Sequence, residues 1–181
     1  MIIGLVGEKL AGKDTAANYF VEKYGAAHFR FSHLLDEILT ILNLPLSRRN
    51  EIDLGLGLRK IFGPHILVDA LHNRLAKSSA NTMSVINGIR MDEFDVVTAW
   101  EGAKIIYITA SPEIRFERYK HRHEKADDAI MPYEQFLAQD QEPTEVGIPA
   151  LGQRADFKIE NVGSLEDLYG KVDEIIKQLK A

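Results

Sequence analysis

The nine residues 7-GEKLAGKDT-15 decide the fold of this chain. Two glycines frame four residues and Lys13 follows the second glycine, which is the spacing of the phosphate-binding motif G-x-x-x-x-G-K-[ST]. The sequence departs from the motif at Asp14, where serine or threonine is usual, and a hydroxyl follows one residue later at Thr15. We predict that this stretch forms a phosphate-binding loop with a modified metal-binding position.

The residues on either side of the loop provide the structural context that the motif requires. The run MIIGLVG at 1–7 is apolar throughout and predicts a strand that is buried on both faces. Apolar residues then recur at helical spacing from Ala16 to Tyr24, and Gly25 can end that helix. An ordinary glycine-rich turn is the alternative interpretation, but a strand before the loop and a helix after it favour phosphate binding at the positive helix N-terminus.

Strands and helices alternate along the rest of the chain. Four further apolar runs predict strands, and they are AAHFRF (26–31), TMSVING (82–88), AKIIYITA (103–110) and ADFKIEN (155–161). Ser32 is expected to cap the helix that follows the second strand, and Pro45 is expected to end that helix. Ser164 with Asp167 is expected to cap the last helix. This alternation predicts an α/β fold with a parallel sheet, helices on both faces, and ligands beyond the carboxyl ends of the strands.

Composition excludes several classes of protein. The chain has 181 residues and 45% hydrophobic composition, which suits one domain spanning 1–181. A net charge of −5 argues against nucleic-acid binding, and no apolar run is long enough to predict a membrane span. The absence of cysteine excludes disulfides and fits a cytoplasmic protein. The oligomeric state is left open.

Each residue of the loop has an expected role in binding ATP with Mg²⁺. Lys13 is expected to reach the terminal phosphates, and Asp14 offers a hard carboxylate oxygen that suits Mg²⁺. A negative charge in the first turn also stabilises a helix, so the alternative role of Asp14 is to stabilise the N-terminus of this helix. Thr15 is predicted to serve the metal or the α-phosphate. The remaining predicted ATP-binding residues of the loop are Gly7, Glu8, Lys9, Leu10, Ala11 and Gly12.

The loop and two later segments together resemble a known group of enzymes. GKDT (12–15), INGIR (86–90) and IENVGSLEDL (159–168) are similar to the phosphate-loop nucleoside and nucleotide kinases, in particular short dephospho-CoA-kinase-like nucleotide kinases and deoxynucleoside monophosphate kinases. The resemblance implies the P-loop NTPase fold with a five-stranded parallel sheet in the order 2-3-1-4-5. It also implies transfer of the γ-phosphoryl group of ATP, with Mg²⁺ as cofactor, to a small nucleotide-like acceptor.

Within this resemblance, the acceptor side corresponds to about 32–80 together with the end of the third strand. Arg90 matches the arginine that grips the phosphate of the acceptor, and Arg59 matches a second acceptor-side arginine. Ser32 and Asp36, at the start of the second helix, correspond to the region that lines the acceptor pocket. A planar guanidinium suits phosphate better than lysine does. Arg59 is also compatible with an ordinary surface position.

The resemblance also implies a lid at about 115–131 and a base-binding turn. Arg118 and Arg122 match lid arginines that close over the transferring phosphoryl group, although their spacing also suits a solvated helix face. Asn161 and Gly163 match the turn beside the adenine. Charges placed on the transferring phosphoryl group are the main catalytic requirement of this reaction, so the catalytic prediction comprises Lys13 and the arginines at 90, 118 and 122.

One residue departs from the pattern of these kinases. Asn87 stands where they carry an acidic residue that organises Mg²⁺ and water, so Asp14 or Asp92 would have to supply the missing charge. The leading hypothesis is an ATP-dependent nucleotide kinase with a nucleoside monophosphate-like acceptor. A dephospho-CoA kinase, with a hydroxyl acceptor and Glu8 or Asp36 as base, is one alternative. A regulatory nucleotide-binding protein with slow hydrolysis is another, and Asn87 suits it. A sugar or metabolite kinase on the same scaffold is a third, because acceptor specificity lies in residues 32–80.

Overall fold

A computed structural model describes residues 1–77, 83–121 and 131–181. Five parallel strands form one sheet in the order β2-β3-β1-β4-β5, as predicted. The strands are β1 (Ile2–Val6), β2 (Ala27–Arg30), β3 (Ser84–Asn87), β4 (Ala103–Thr109) and β5 (Phe157–Glu160). The apolar central strands β1 and β3 are buried over nearly their whole length, because helices cover both faces.

The helices lie on two faces of this sheet. They are α1 (Lys13–Tyr24), α2 (Phe31–Ile41), α3 (Arg48–Phe62), α4 (Ile66–Lys77), α5 (Met91–Thr98), α6 (Pro112–Lys120), α7 (Tyr133–Ala138), α8 (Ile148–Gln153) and α9 (Leu165–Lys180). Helices α1 and α9 form one apolar core with β1, and α2, α4, α5 and α8 form a second core on the opposite face. No helix in the described part of the chain is long and apolar enough to span a bilayer.

The expected caps of the first and last helices are confirmed. Gly25 ends α1 in the left-handed conformation with φ 62°, and its N–H contacts the carbonyl groups of the preceding turn. At the start of α9, Ser164 Oγ accepts from Asp167 N at 3.2 Å, and Asp167 accepts from Ser164 N at 2.8 Å. These two bonds satisfy backbone donors that a helix N-terminus otherwise leaves open.

The second helix begins earlier than expected. Arg30, not Ser32, precedes its first residue, and Ser32 lies inside the first turn without capping it. The extended backbone of Arg30 (φ −134°, ψ 139°) carries β2 directly into α2, which leaves no separate turn for a capping side chain. The helix ends at Ile41, before Pro45, and Ser47 caps α3 by accepting from Asn50 N at 3.2 Å.

Candidate active site

The loop between β1 and α1 has the tight backbone that its two glycines predict. Gly7 has φ 156°, and a Cβ added there would lie 2.0 Å from the carbonyl oxygen of Ile108 in β4. Gly12 has φ 109° and caps α1, and a Cβ there would lie 2.2 Å from Asn161 Nδ2. Leu10 also has positive φ, at 62°. Neighbouring strands therefore hold the loop in a conformation that side chains at its two glycines would prevent.

Lys13 points into the loop rather than out to solvent. Its Nζ donates to the carbonyl oxygens of Gly7 at 2.8 Å and Glu8 at 2.7 Å. Desolvation by burial, with a smaller contribution from the positive charge of Arg90, lowers the pKa of Lys13 from 10.5 to about 8. A lysine held in this way presents its charge where anionic phosphates would be surrounded by the loop N–H groups.

Two side chains support the loop from outside. Arg118 Nη1 donates to the carbonyl oxygens of Leu10 at 3.1 Å and Ala11 at 3.3 Å, and its Nη2 donates to Asn161 O at 2.8 Å. Asn161 Nδ2 donates to Ala11 O at 2.8 Å, and the residue is 6% exposed. Arg118 and Asn161 thus contact each other and the same turn of the loop. The resemblance assigned Asn161 to the turn beside the adenine and Arg118 to the lid, and the catalytic role of Arg118 stays a prediction.

A buried arginine that the sequence analysis missed also contacts the loop. Arg115 is 2% exposed, and its guanidinium donates to both carboxylate oxygens of Asp140, at 3.0 and 2.5 Å. It also donates to Ala110 O at 3.2 Å and to Lys9 O at 3.4 Å. Its position in the first turn of the helix that Pro112 opens, directly after a strand end, was the available sequence signal. Arg115 joins α6, the loop and the segment after α7.

Asp14 lies at the rim of the loop, in contact with the ends of β2 and β3. Asn87 Nδ2 donates to Asp14 Oδ1 at 2.7 Å, and Arg30 Nη2 lies 3.3 Å from the same oxygen. Arg30 and Asn87 are register partners, so two adjacent strand ends deliver both side chains to one carboxylate. Arg30 was not among the predicted site residues, because as the last residue of a short strand its direction depends on the register.

The residues present fit a magnesium ion bound together with nucleotide phosphates. No cluster of three or more His, Cys, Asp or Glu side chains that could hold a metal is found within the described residues. Mg²⁺ does not need one, because it keeps several waters and commonly takes one or two carboxylates plus substrate phosphates. Asp14 provides a carboxylate, and Asn87 Oδ1 is a buried oxygen without a hydrogen-bond partner among the described residues. Thr15 is half-buried on the next position of α1.

A cleft of about 410 Å³ extends from the loop along α2 and α3. Three of the predicted acceptor residues line it, and they are Ser32, Arg59 and Arg90. Two arginines that were not predicted, Arg30 and Arg48, line it as well. Apolar side chains form its walls, namely Phe31, Leu35, Ile52, Leu56, Tyr119, Met131 and Phe136. The cleft therefore combines arginines beside Lys13 and Asp14 with apolar side chains and with the carboxylates of Glu51, Glu142 and Glu145.

Acidic side chains hold the arginines of this cleft. Arg90 Nη2 donates to Glu145 Oε1 at 2.9 Å, and Glu145 is 7% exposed. Arg90 Nη1 and Glu145 Oε2 are buried without hydrogen-bond partners among the described residues. Arg59 pairs with the buried Glu93 and lies 3.4 Å from Asp92 Oδ2. Both predicted acceptor arginines are thus held in place, and Arg90 keeps donor capacity for a ligand.

The remaining predicted residues lie elsewhere. Asp36 lines a separate surface groove with His33, Glu37, Thr40 and Ile41 rather than the main cleft. Gly163 is exposed in the turn between β5 and α9, close to Asp167. The predicted lid at 115–131 begins inside α6, and its later part, including Arg122, lies outside the described residues.

Comparison with known proteins gives relatives at low sequence identity. No family model matches the chain. A UPF0200/UPF0201 protein of Archaeoglobus fulgidus is 27% identical over 187 residues, covering 98% of this chain and 55% of that protein. The chain thus spans about half the length of that relative. UPF0200 proteins of Methanococcus maripaludis and Pyrococcus furiosus are each 25% identical and are covered over 97% of their own length.

Solved structures with the same fold include small-molecule kinases. A shikimate kinase from Bacteroides thetaiotaomicron matches with a TM-score of 0.67 at 13% identity, covering 100% of this chain and 99% of that one. The TT1252 protein of Thermus thermophilus matches with a TM-score of 0.64 at 22% identity, covering 99% and 97%. A shikimate kinase from Acinetobacter baumannii in complex with shikimate matches at 0.60 and 19%, covering 98% and 93%. The chain therefore has the fold of the phosphate-loop kinases.

Proposed function

We propose that the protein is an ATP-dependent phosphotransferase whose acceptor carries a phosphate group, as a nucleoside monophosphate does. The observation that supports this best is the cluster of arginines in the cleft that adjoins Lys13, formed by Arg30, Arg48, Arg59 and Arg90. A phosphate-bearing acceptor is anionic and approaches an anionic donor, so its site must supply positive charge. The kinase fold shared with the neighbours described above is consistent with this chemistry.

On the donor side, the loop amides and Lys13 bind the β- and γ-phosphates of ATP. Asp14 and Thr15 are the residues that would hold Mg²⁺, which neutralises charge on the phosphates when it is bound. Arg118 and Asn161 keep the loop in its binding conformation through the backbone bonds described above. The turn that contains Gly163 is the expected site of the base.

On the acceptor side, Arg90 and Arg59 orient the phosphate that attacks. That phosphate is itself the nucleophile, so the reaction requires positioning and charge rather than a strong base. The apolar walls, with Leu35, Ile52 and Phe136 among them, suit a planar base. We assign acceptor binding to the part of 32–80 that forms α2 and α3, and the lid stays a prediction at about 115–131, of which 122–130 lie outside the described residues.

A hydroxyl acceptor, as in a dephospho-CoA kinase, is the alternative within the enzymes. It would need a carboxylate base facing the acceptor. Glu8 accepts from Tyr107 OH and lines a different cavity of about 560 Å³ near the ends of β4 and β5, and Asp36 faces another groove. Asp14 is already engaged by Asn87 and Arg30. These placements argue against Glu8, Asp36 and Asp14 as the base, and the other carboxylates that line the cleft are Glu51, Glu142 and Glu145.

A regulatory nucleotide-binding protein with slow hydrolysis is the alternative of another class. The amide of Asn87 at the metal position is the observation that favours it. The arginines of the cleft argue the other way, because a switch that only hydrolyses ATP has no need for Arg48, Arg59 and Arg90 on its acceptor side.

The deciding experiment is release of ADP from Mg-ATP with each ribo- and deoxynucleoside monophosphate, with dephospho-CoA, with shikimate, and without acceptor. Stimulation by one monophosphate well above the blank supports the proposal and identifies the acceptor. Stimulation by dephospho-CoA or shikimate would move the protein to the hydroxyl class. A slow rate that no acceptor raises would favour the regulatory alternative. The Lys13→Ala variant provides the background.

A further inference from the structure

Three side chains of different elements meet at the rim of the phosphate loop. Arg30 ends β2, Asn87 ends β3, and Asp14 lies in the first turn of α1. The sheet brings them together, because Asn87 is the register partner of both Arg30 in β2 and Leu5 in β1. All three side chains line the 410 Å³ cleft at its loop end.

The contacts within this group fix the orientation of the asparagine. Asn87 Nδ2 donates to Asp14 Oδ1 at 2.7 Å, so its amide oxygen points away from the carboxylate. That oxygen is buried without a hydrogen-bond partner among the described residues, and Asn87 itself is 3% exposed. A buried carbonyl oxygen without a donor is costly in a folded protein, and such an atom suggests a ligand or a bound water.

In most phosphate-loop proteins, a hydroxyl on the loop and an aspartate at a strand end share the binding of Mg²⁺. Here the loop carries the carboxylate and the strand carries the neutral group. We infer that the two positions have exchanged chemistry: Asp14 is the carboxylate for the metal, and Asn87 is a positioning residue that orients it. This inference rests on the proposed use of Mg-ATP. Arg30, whose Nη2 lies 3.3 Å from Asp14 Oδ1, balances the negative charge of this carboxylate.

If the inference holds, the positions of Asp14 and Asn87 together accommodate one carboxylate and not two. Asn87→Asp places a second carboxylate within hydrogen-bonding distance of Asp14, where the two repel. Asp14→Ser removes the carboxylate and leaves the amide of Asn87 and Arg30 without their partner. The double variant, Asp14→Ser with Asn87→Asp, restores one carboxylate and one hydroxyl in the arrangement common to other phosphate-loop proteins.

The first readout needs neither metal nor nucleotide. Thermal midpoints of the wild type, the two single variants and the double variant are measured in EDTA. We expect Asn87→Asp to lower the midpoint and the double variant to recover most of that loss, because the two carboxylates no longer face each other. A double variant that loses the sum of the two single effects would overturn the idea that the residues act as one unit.

The second readout is the ratio of ATP affinities with and without Mg²⁺, measured calorimetrically. We expect Asp14→Ser to reduce this enhancement about 10- to 100-fold, the effect of losing a metal-site group, and the double variant to regain it. Asp92→Asn is the matched control for the other carboxylate near the site. Retained enhancement in Asp14→Ser, or its loss in Asp92→Asn, would overturn the assignment to Asp14.

These readouts separate the inference from the proposed function. If the wild type binds ATP and phosphorylates an acceptor while Asp14→Ser keeps its Mg²⁺ enhancement, the inference is wrong and the function stands. If the wild type binds no ATP, the proposed function is wrong. The metal role of Asp14 falls with it, and the thermal cycle in EDTA then tests the remaining claim, that Asp14 and Asn87 act as one unit, which failure of the double variant to recover overturns.

Discussion

The donor loop and the acceptor cleft are neighbours, but different kinds of contact hold their charged groups. Around the loop, Lys13, Arg118 and Asn161 donate to backbone carbonyl oxygens. In the cleft, Arg59 and Arg90 are each bound by an acidic side chain. Backbone contacts maintain the loop conformation, whereas under the proposed function an acceptor phosphate would compete with carboxylates for the arginines.

This difference predicts two kinds of behaviour. Preorganised donors bind a phosphate without rearrangement, so the donor site is ready before ATP arrives. The affinity for the acceptor depends on how much more favourably each guanidinium binds a phosphate than the carboxylate that it already contacts. This difference favours a specific acceptor over a high affinity. The following predictions test this contrast, beginning with the largest expected effect.

The Lys13→Ala variant removes the charge inside the loop. We expect kcat to fall by about 10²- to 10³-fold or more, because the stabilisation of charge on the transferring phosphoryl group is lost. The protein should remain folded with a moderately lower thermal midpoint, because the carbonyl oxygens of Gly7 and Glu8 lose their donor while the loop backbone keeps its contacts with Arg118 and Asn161. ADP release and thermal unfolding check both expectations.

Lys9→Ala is the matched control, since Lys9 lies in the same loop but donates to the side chain of Gln139 at 3.0 Å. Its effect on kcat should be much smaller. Turnover of Lys13→Ala within a few-fold of the wild type would exclude the phosphate-loop assignment.

Arg90→Ala tests the acceptor cleft. We expect the KM for the acceptor to rise roughly tenfold or more, with a lower kcat and little change in ATP affinity, because a hydrogen bond to a charged group contributes about 1.5–3 kcal/mol. Steady-state kinetics and ATP titration measure the two sides separately. Arg74→Ala is the control, because Arg74 is an exposed arginine paired with Glu37 outside the cleft.

An equal loss of ATP affinity in Arg90→Ala would place this arginine on the donor side. It would also remove the contrast between loop and cleft.

Arg118→Ala separates loop support from lid closure. The contacts with Leu10 O, Ala11 O and Asn161 O predict that ATP affinity and the thermal midpoint fall together, each moderately, because buried carbonyl groups lose their donor. A residue that acts only in a closing lid would lower kcat and leave the midpoint of the free protein unchanged. Arg154→Ala, at an exposed arginine paired with Asp95, is the control for loss of a surface ion pair.

Much of the fold was predictable because its signals are local. The loop glycines, the apolar strands and the Ser164–Asp167 cap depend on residues a few positions apart, and the structure confirms them. The Ser32 cap was wrong for a local reason as well, since Arg30 passes from strand to helix without a turn. The sequence does not predict α3 before Leu58, because Gly55 and Gly57 interrupt its apolar pattern.

The acceptor cleft was less predictable because its contacts join distant parts of the chain. Arg90 and Glu145 are 55 positions apart, and Arg59 and Glu93 are 34 apart. No periodicity indicates such pairs. Arg30 faces the cleft through strand register, which no run of sequence encodes by itself. Resemblance supplied Arg90 and Arg59, and the structure adds the partners that hold them.

The pH dependence of Lys13 gives the finest test of the donor side. Its pKa of about 8 lies below the ordinary 10.5, so between these values the folded lysine is neutral while the unfolded chain keeps it charged. The unfolded state then binds more protons, and the contribution of Lys13 to the free energy of unfolding rises with pH in this window.

ATP affinity should fall above pH 8, by up to about tenfold per pH unit, because bound phosphates require the charged lysine. Unfolding of wild type and Lys13→Met from pH 7 to 10 isolates the first effect, and calorimetry in two buffers measures the proton taken up with ATP. Parallel stability profiles for the two proteins, with no proton uptake at pH 8.5, would show that Lys13 is not desolvated inside the loop.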